Sequence, residues 1–460
     1  MNRIQKIATL CVVLLLSSCG IYNRYEYKET VREDLYGTNV EMVVSDSLNF
    51  GTWDWKTVFT DAQLQALIDT ALVRNVDLRK AHLDIEAAEA MLLSAKLAYL
   101  PSFAASPQGS VSYLPSSGTT STSYNLPISA SWEIDVFGKL TNQKRGAAAL
   151  LDQTREYEQA VRCQLIASVA NLYYTLMTLD EQLVITRQTE VNYQKSVAIT
   201  RDLKEAGQSN DVALAQMEAS LLSVTASLRD LEYQRAQIEN ALALLLFETS
   251  HPIQPATWEE QQLPEAFPIG IPLTLLANRP DVRMAEAALA QAFYETNAAR
   301  SAFYPSLVLS GSGGWTNVIG DMVVDPAKFL GSALASLTQP LFAQGKLTAQ
   351  LKASKAKQEQ ATLDFEQALL NAGNEVNEAF MLYQVSLNKA VLLEEQVAAL
   401  KRAADQTAWM MEYGSLTYLE VITAQQSYLS AQLAASANRL EMVQGMISLY
   451  SALGGGSDRK

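Results

Sequence analysis

Glu133 and Asp135, two carboxylates with one residue between them, come nearest to acid–base machinery in this 460-residue sequence. A glycosidase-like reaction needs such a pair flanking a bound substrate. Here the pair sits in Ser123–Phe137, where polarity alternates residue by residue. Tyr124, Leu126, Ile128, Ala130, Trp132, Ile134 and Val136 take one side; Ser123, Asn125, Pro127, Ser129, Ser131, Glu133 and Asp135 take the other. Period two over this length predicts a strand with one apolar and one wet face. With no pocket predicted around them, the two carboxylates read as polar lining. His82 and His251 are far apart, one in a helical stretch and one before a proline, so neither has a partner for metal or catalytic work. No phosphate loop occurs, and no nucleophile has a base at a recognisable spacing. The expectation is a protein that is not an enzyme and uses no cofactor or metal.

The elements that would position these residues are unusually long. Gly138 breaks the alternation, and from Lys139 to Ala206 there is no proline and one glycine, Gly146. Val161, Leu165, Val169, Leu172, Leu176, Leu179 and Leu183 recur with a mean step of about 3.7, the period of an amphipathic helix. At 1.5 Å per residue this helix reaches roughly 100 Å, against three or four turns in an ordinary domain. Gly207 marks its end at a tight hairpin, and a second helix is predicted from Asp211 to Phe247. Upstream, a helical pattern runs from Asp61 to Tyr99 and stops at Pro101. A strand over Ser102–Tyr113 and a loop tip over Pro115–Thr122 follow. Prolines crowd residues 251–272, and none occurs after Pro340.

Beyond that linker the plan repeats. Ala299–Ser306 matches Ala95–Ser102 at an offset of 204. Gly345-Lys-Leu347 matches Gly138-Lys-Leu140, Tyr413-Gly414 matches Ala206-Gly207, and Leu453-Gly454 matches Leu246-Phe247, all at 207. A constant offset over more than a hundred residues, with the slip confined to the β-hairpin loop, predicts an internal duplication. Each half is then helix, β-hairpin, very long helix, shorter helix. The expected organisation is a signal peptide (1–18), a lipidated arm (19–60), a first repeat (61–250), a Pro-rich linker (251–272) and a second repeat (273–460).

Composition, 48% apolar and 18% charged, allows a large core. Arg3 and Lys6 precede an apolar run from Ile7 to Leu16, as in a secretory signal. The following Leu16-Ser-Ser-Cys19-Gly20 resembles the lipobox of bacterial lipoproteins, which implies an acylated Cys19 as first mature residue and, with Gly20 behind it, outer-membrane delivery. Losing residues 1–18 removes Arg3 and Lys6 and no acid, moving the formal charge from −14 to −16. That sign speaks against a nucleic-acid partner. Of three cysteines Cys11 leaves with the signal and Cys19 is acylated, so Cys163 alone remains and no disulfide framework is possible. After residue 19 no run of eighteen apolar residues occurs, so any crossing of a membrane must use strands.

Each half supplies one hairpin, so a chain supplies four strands. Lipid tolerates a sheet only when it closes, and the smallest barrels use about eight strands. More than one chain must therefore pool its strands, with Glu133 and Asp135 lining a lumen and Tyr124, Trp132 and Ile134 facing lipid. The long helices, tied to the strands through Gly138 and Gly345, then continue the wall into the periplasm.

At these positions the chain resembles the TolC/OprM family of outer-membrane efflux proteins, lipoprotein branch. Ser131-Trp-Glu-Ile-Asp-Val-Phe-Gly138 is similar to the family's strand-to-helix signature and Asn278-Arg-Pro-Asp-Val282 to its mid-chain signature; the Leu453-Gly-Gly-Gly456 ending also fits. The resemblance implies a mixed, mainly α fold: a homotrimer with a twelve-stranded outer-membrane barrel, four strands per chain, continuous with a periplasmic α-helical barrel. It implies a channel that passively conducts substrates from a periplasmic adaptor and inner-membrane pump to the exterior. The hairpin tips at Gly207 and Gly414 would contact the adaptor. The family's periplasmic gate falls on Gly414–Ala424, with Leu419 as the apolar ring, Glu420 as a carboxylate, and Thr423 where a second acid is usual. A conduit for type I protein secretion shares these motifs, although the lipobox leans toward efflux. A lipid-anchored coiled-coil spacer, the alternative from another class, predicts no amphipathic strand.

Overall fold

The computed structural model describes residues 23–26, 50–261, 278–317, 329–413 and 417–457. Seven helices longer than two turns are described: α1 (Ala62–Arg74), α2 (Val76–Leu97), α3 (Lys139–Glu205), α4 (Asp211–Leu245), α5 (Pro280–Ser301), α6 (Lys346–Glu412) and α7 (Tyr418–Ala452). Five strands accompany them: β1 (Ser102–Ala105), β2 (Gln108–Leu114), β3 (Thr119–Ile134), β4 (Ser306–Asn317) and β5 (Phe329–Thr338). The two very long helices are 67 residues each and the two shorter ones 35 each, every pair starting 207 apart. The helices that lead into the sheet, α2 and α5, are 22 residues each and start 204 apart.

Several boundaries differ from the sequence reading, each for a local reason. The Asp61–Tyr99 stretch is two helices, because Asn75 ends the first and caps the second: its Oδ1 accepts from Asp77 N and Leu78 N. Asp61 caps α1 in the same way, accepting from Gln63 N and Leu64 N. The first strand is interrupted at Ser106-Pro107, since proline has no N–H for the ladder. Its two pieces nevertheless keep one register against β3, Ala105 opposite Ile128 and Gln108 opposite Asn125. The loop tip shrinks to 115–118 and β3 begins at Thr119. β3 also ends at Ile134, three residues before Phe137.

Strand pairing locates the slip between repeats. Ser102 lies opposite Ser131 in the first hairpin, and Ser306 opposite Thr338 in the second. The entering strands therefore repeat at 204 and the returning strands at 207, which puts the three extra residues in the hairpin loop. By the returning-strand offset, Leu341 is the counterpart of Ile134. Helix ends repeat as well: Phe247 and Gly454 both take positive φ, 55° and 82°, just past the ends of α4 and α7.

The chain divides into two compact units, each built from both repeats. The first holds residues 1–30, 83–156 and 283–368, and contains the whole sheet. The second holds residues 31–82, 157–282 and 369–460. Its core is an aromatic knot in which Phe50, Phe59, Tyr173, Tyr174 and Tyr450 are fully buried. Tyr450 Oη donates to Trp53 O at 2.7 Å, and Tyr173 Oη to Asp61 Oδ2 at 2.6 Å. Every buried hydroxyl so paired escapes the cost of an orphan polar group.

Candidate channel wall and hairpin tip

The sheet is ordered β1/β2–β3–β4–β5, all neighbours antiparallel. Directly opposed residues in such a ladder share a face, so register sorts every side chain. One face carries Phe103, Val111, Tyr113, Leu126, Ile128, Trp132, Leu307, Leu309, Trp315, Phe329 and Leu337. The other carries Ser110, Ser112, Asn125, Ser129, Ser131, Ser310, Ser312, Ser332 and Ser336, with Leu114, Val308 and Leu334 as apolar exceptions. Serines pair across it: Ser110 with Ser123 at 2.7 Å and Ser312 with Ser332 at 2.8 Å. On the apolar face, Ile128 is 55% exposed and Phe103 71% exposed. No strand pairs with the outer edge of β1/β2 or of β5 among the described residues. Soluble proteins do not leave an apolar sheet face bare; this one is built to meet another apolar medium.

The turn from β3 into α3 uses the two carboxylates singled out from sequence. Gly138 takes φ 70°, a left-handed conformation that costs glycine little. Asp135 lies just past the strand, and its carboxylate accepts from Leu140 N (3.0 Å), Thr141 N (2.7 Å) and Thr141 Oγ1 (2.6 Å). A negative group holding the free N–H groups of a first turn stabilises the helix start. Glu133, still in the strand and on its polar face, accepts from Lys139 Nζ at 2.9 and 3.1 Å. The pair thus clamps a strand-to-helix turn. Phe137 stacks on Tyr304 at 5.1 Å, joining this turn to the residues entering β4. The matching turn of the second repeat also has its glycine left-handed, Gly345 at φ 79°. Leu341 and Phe342 there are 94% and 86% exposed.

At the other end of the long helices the first hairpin closes through Gly207, φ 75°, with Gly207 N donating to Lys204 O and Gln208 N to Leu203 O. These bonds satisfy the last carbonyls of α3. Gly414 lies outside the described residues, as does Cys19 with the whole predicted signal peptide. Both helical hairpins pack on one cluster of Tyr193, Val197, Met217, Val224, Met411, Val421 and Ile422. On the segment where the gate is expected, Leu419 is 55% exposed. Glu420 turns back on its own helix: Thr417 N donates to its carboxylate at 2.9 Å and Thr417 Oγ1 bonds it too. That hydrogen bonding holds the Glu420 carboxyl below the ordinary glutamate range. Thr423 Oγ1 donates to Leu419 O at 2.8 Å. The Thr417-x-x-Glu420 spacing is a capping-box signature, readable in the sequence but missed there.

The roles of other structural residues escaped sequence reading. Arg279 of the mid-chain signature is buried, and its guanidinium reaches Asp281, Glu375 and the carbonyl of Ala452 at 2.6–2.9 Å. It ties the start of α5 to α6 and to the end of α7. The terminal glycines are required by closeness: a Cβ on Gly454 would lie 2.5 Å from Asn278 O, and one on Gly455 2.4 Å from the Tyr450 ring. His82 stands 3.5 Å from Glu158, and His251 Nδ1 is 3.2 Å from Thr249 O; both are surface contacts. Among the described residues no helix is long and apolar enough to cross a membrane.

The profile of a family described as "Outer membrane efflux protein" matches residues 67–246 and 271–455. The cation efflux system protein CusC of Escherichia coli (strain K12) is 30% identical over 457 residues, 98% of this chain and 99% of that protein. Outer membrane protein OprJ of Pseudomonas aeruginosa is 27% identical, covering 98% of this chain and 96% of that protein. Among solved structures, the outer-membrane channel OprN superposes with a TM-score of 0.85 at 26% identity, over 94% of this chain and 98% of that one. The open state of the Neisseria gonorrhoeae MtrE outer membrane channel gives 0.85 at 29% identity, over 95% and 98%. A profile spanning both repeats, with relatives matched over nearly their whole length and solved structures of the same fold, places the chain in the outer membrane efflux protein family.

Proposed function

We propose that three copies pool their hairpins into one closed barrel in the outer membrane, and that the long helices extend it as a passive periplasmic conduit. The observation that carries this reading is the sheet, predominantly apolar on one face and, among the described residues, open at both edges. An edge in lipid leaves backbone groups without partners, so closure needs further strands, and further copies of the chain supply them. Acylation at Cys19 would add an anchor of the kind that two or more chains make firm. The conduit receives substrate from a periplasmic adaptor and an inner-membrane pump that dock at the hairpin tips near Gly207 and Gly414.

In this reading the serine-rich face lines the lumen, with Glu133 at its lower end and Asp135 committed to the turn beneath. Glu133 is the one fixed charge on that face among the described strand residues. CusC is named for cation efflux and TtgC of Pseudomonas putida for toluene. A hydroxyl-lined wall whose one fixed charge, Glu133, is paired with Lys139 suits a conduit whose substrate is chosen by its pump. At the periplasmic end Leu419 forms the constriction. Glu420 serves its own helix first, and Thr423 adds no charge. The test is reconstitution of the full chain in planar bilayers beside native mass measurement. A trimer that conducts, with resting conductance raised by Leu419→Ala, supports the reading; a monomer that does not conduct refutes it.

A further inference from the structure

The chain carries a formal charge of −14, yet the sign reverses where the sheet gives way to the long helices. From Ala90 to Leu151 the only acids are Glu133 and Asp135, and both are engaged, by Lys139 and by the first turn of α3. In the second repeat the 207 offset puts Pro340 and Phe342 in their places, and no acid occurs from Phe329 to Gln358. The bases persist: Arg300 stands for Lys96 at 204, and Lys346 and Lys352 stand for Lys139 and Arg145 at 207. We propose that Lys144, Arg145, Lys352 and Lys355 form a basic belt on the outer side of this junction, which binds the phosphate groups of anionic phospholipids in the periplasmic leaflet. The proposal rests on the outer-membrane barrel above and goes further, giving that barrel a preferred lipid.

Two sets of contacts fix the side and the depth. Trp132, on the apolar face of β3 and 40% exposed, donates its indole N–H to Tyr99 O at 2.8 Å. An indole that is apolar over its body and hydrogen-bonded at its N–H suits a membrane–water interface. The Tyr99 ring lies 5.7 Å from Lys144 Nζ, so Lys144 stands on the wet side of that interface. Next to it, Arg145 donates to Asn23 O at 3.4 Å and lies 5.9 Å from the Tyr294 ring, while Tyr25 N donates to Tyr294 Oη at 3.2 Å. Asn23 follows Cys19 by four residues, so an acylated Cys19 lies within about 14 Å of it. The arm that leads to the acyl chains marks the outer side of the wall, and Arg145 is on that side. Lys352, its counterpart, and Lys355, about 60° away around α6, take the same side in the second repeat.

The depth suits a headgroup. Lys144 and Arg145 stand roughly 8 Å past the start of α3, and Lys352 and Lys355 roughly 9 and 14 Å past the start of α6. Headgroups fill roughly 5–8 Å beyond the hydrocarbon on each side of a bilayer, and lysine stems reach back toward them. Lys144, Lys352 and Lys355 are exposed, and none makes an ion pair among the described residues. A zwitterionic headgroup brings its own cation and gains less from them than an anionic one. An acidic protein is otherwise repelled by an anionic leaflet, so a local reversal of sign marks where the two meet.

The test titrates the full-length acylated oligomer, in a zwitterionic detergent, with phosphatidylglycerol or phosphatidylethanolamine carrying the same fluorescent acyl chain. Each basic group beside an anionic surface is worth about a factor of five in affinity, less as salt screens it. The parent should bind phosphatidylglycerol about ten-fold more tightly than phosphatidylethanolamine at low salt, with the preference shrinking at high salt. K144E/K352E/K355E should abolish the preference, whereas K401E, on exposed α6 surface roughly 70 Å beyond Lys352, should keep it. If the reversed chain does not assemble, K144Q/K352Q/K355Q neutralises the same positions and should lower the preference about five-fold. Equal binding of the two lipids by an oligomer intact by native mass overturns the belt and leaves the barrel standing. So does a preference that survives the triple substitutions. Displacement of the lipid by inorganic phosphate, beyond that by chloride at equal ionic strength, gives the site to a soluble anion and also overturns the belt. A monomeric parent overturns barrel and belt together.

Discussion

Replacing Ile128 with arginine puts the amphipathic sheet to its most direct test. Ile128 is on the apolar face of β3, opposite Ala105 on one side and Gly313 on the other, and half its surface is bare. It stands nine residues from the strand's start and six from its end, roughly 30 Å and 20 Å along the strand at 3.3 Å per residue. In the proposed barrel, with strands tilted about 40°, those lengths project to roughly 23 Å and 15 Å on the membrane normal. Ile128 therefore falls inside an apolar band about 25 Å tall, away from both rims. Arginine facing lipid there costs about 2–4 kcal/mol, so the proposed trimer would lose about 6–12 kcal/mol per closed barrel. Ser129→Arg is the control, one residue on and on the wet face, where the cost should stay within about 0.5 kcal/mol. The assay is urea unfolding of the oligomer in lipid vesicles, read by tryptophan fluorescence and by band shift on gels. Equal losses at the two positions, or a larger loss at Ser129, would refute the assignment of faces and with it the barrel.

Asp135→Ala removes three hydrogen bonds from the first turn of α3 and should cost about 2 kcal/mol. Hydrogen exchange at Leu140 and Thr141 should speed up, with partial rescue by Asp135→Asn; unchanged protection would discount the cap. Gly454→Ala combines a left-handed backbone with a Cβ pressed on the Asn278 carbonyl, and should lose about 3 kcal/mol or more, seen as a lower yield of folded protein and a lower melting temperature. A variant as stable as the parent would show that the chain end can move away. The capping box at Thr417–Glu420 should respond to acid. Because the folded carboxyl is held below its ordinary value, its contribution is complete above that ordinary value and is lost as pH falls through the lowered one. Exchange protection in the first turn of α7, corrected for intrinsic rate, should fall over that window in the parent and be low at every pH in Glu420→Ala; a flat parent profile would contradict it.

Sequence alone determined whatever repeats along the chain. The two-residue period of β3, the 3.7-residue step of α3, and the offsets of 204 and 207 are local or translational regularities. They need no knowledge of what touches what, and so they were legible. Where a boundary depends on a partner, reading failed. β3 stops at Ile134 because β4 begins to pair it at Leu307. Asn75 splits a helix because its side chain competes for the backbone there. Asp135 reads as lining until the turn at Gly138 folds α3 back within reach of its carboxylate. The hydrogen bonds that Thr417 gives the Glu420 carboxylate are a local pattern, legible in the spacing but unread there. Arg279 and Gly454 owe their roles to segments about a hundred residues away or more: Glu375, Ala452 and Asn278 respectively. Spacing records how a chain is patterned; which distant groups meet depends on burial and on satisfying buried polar atoms, which only the packed structure decides.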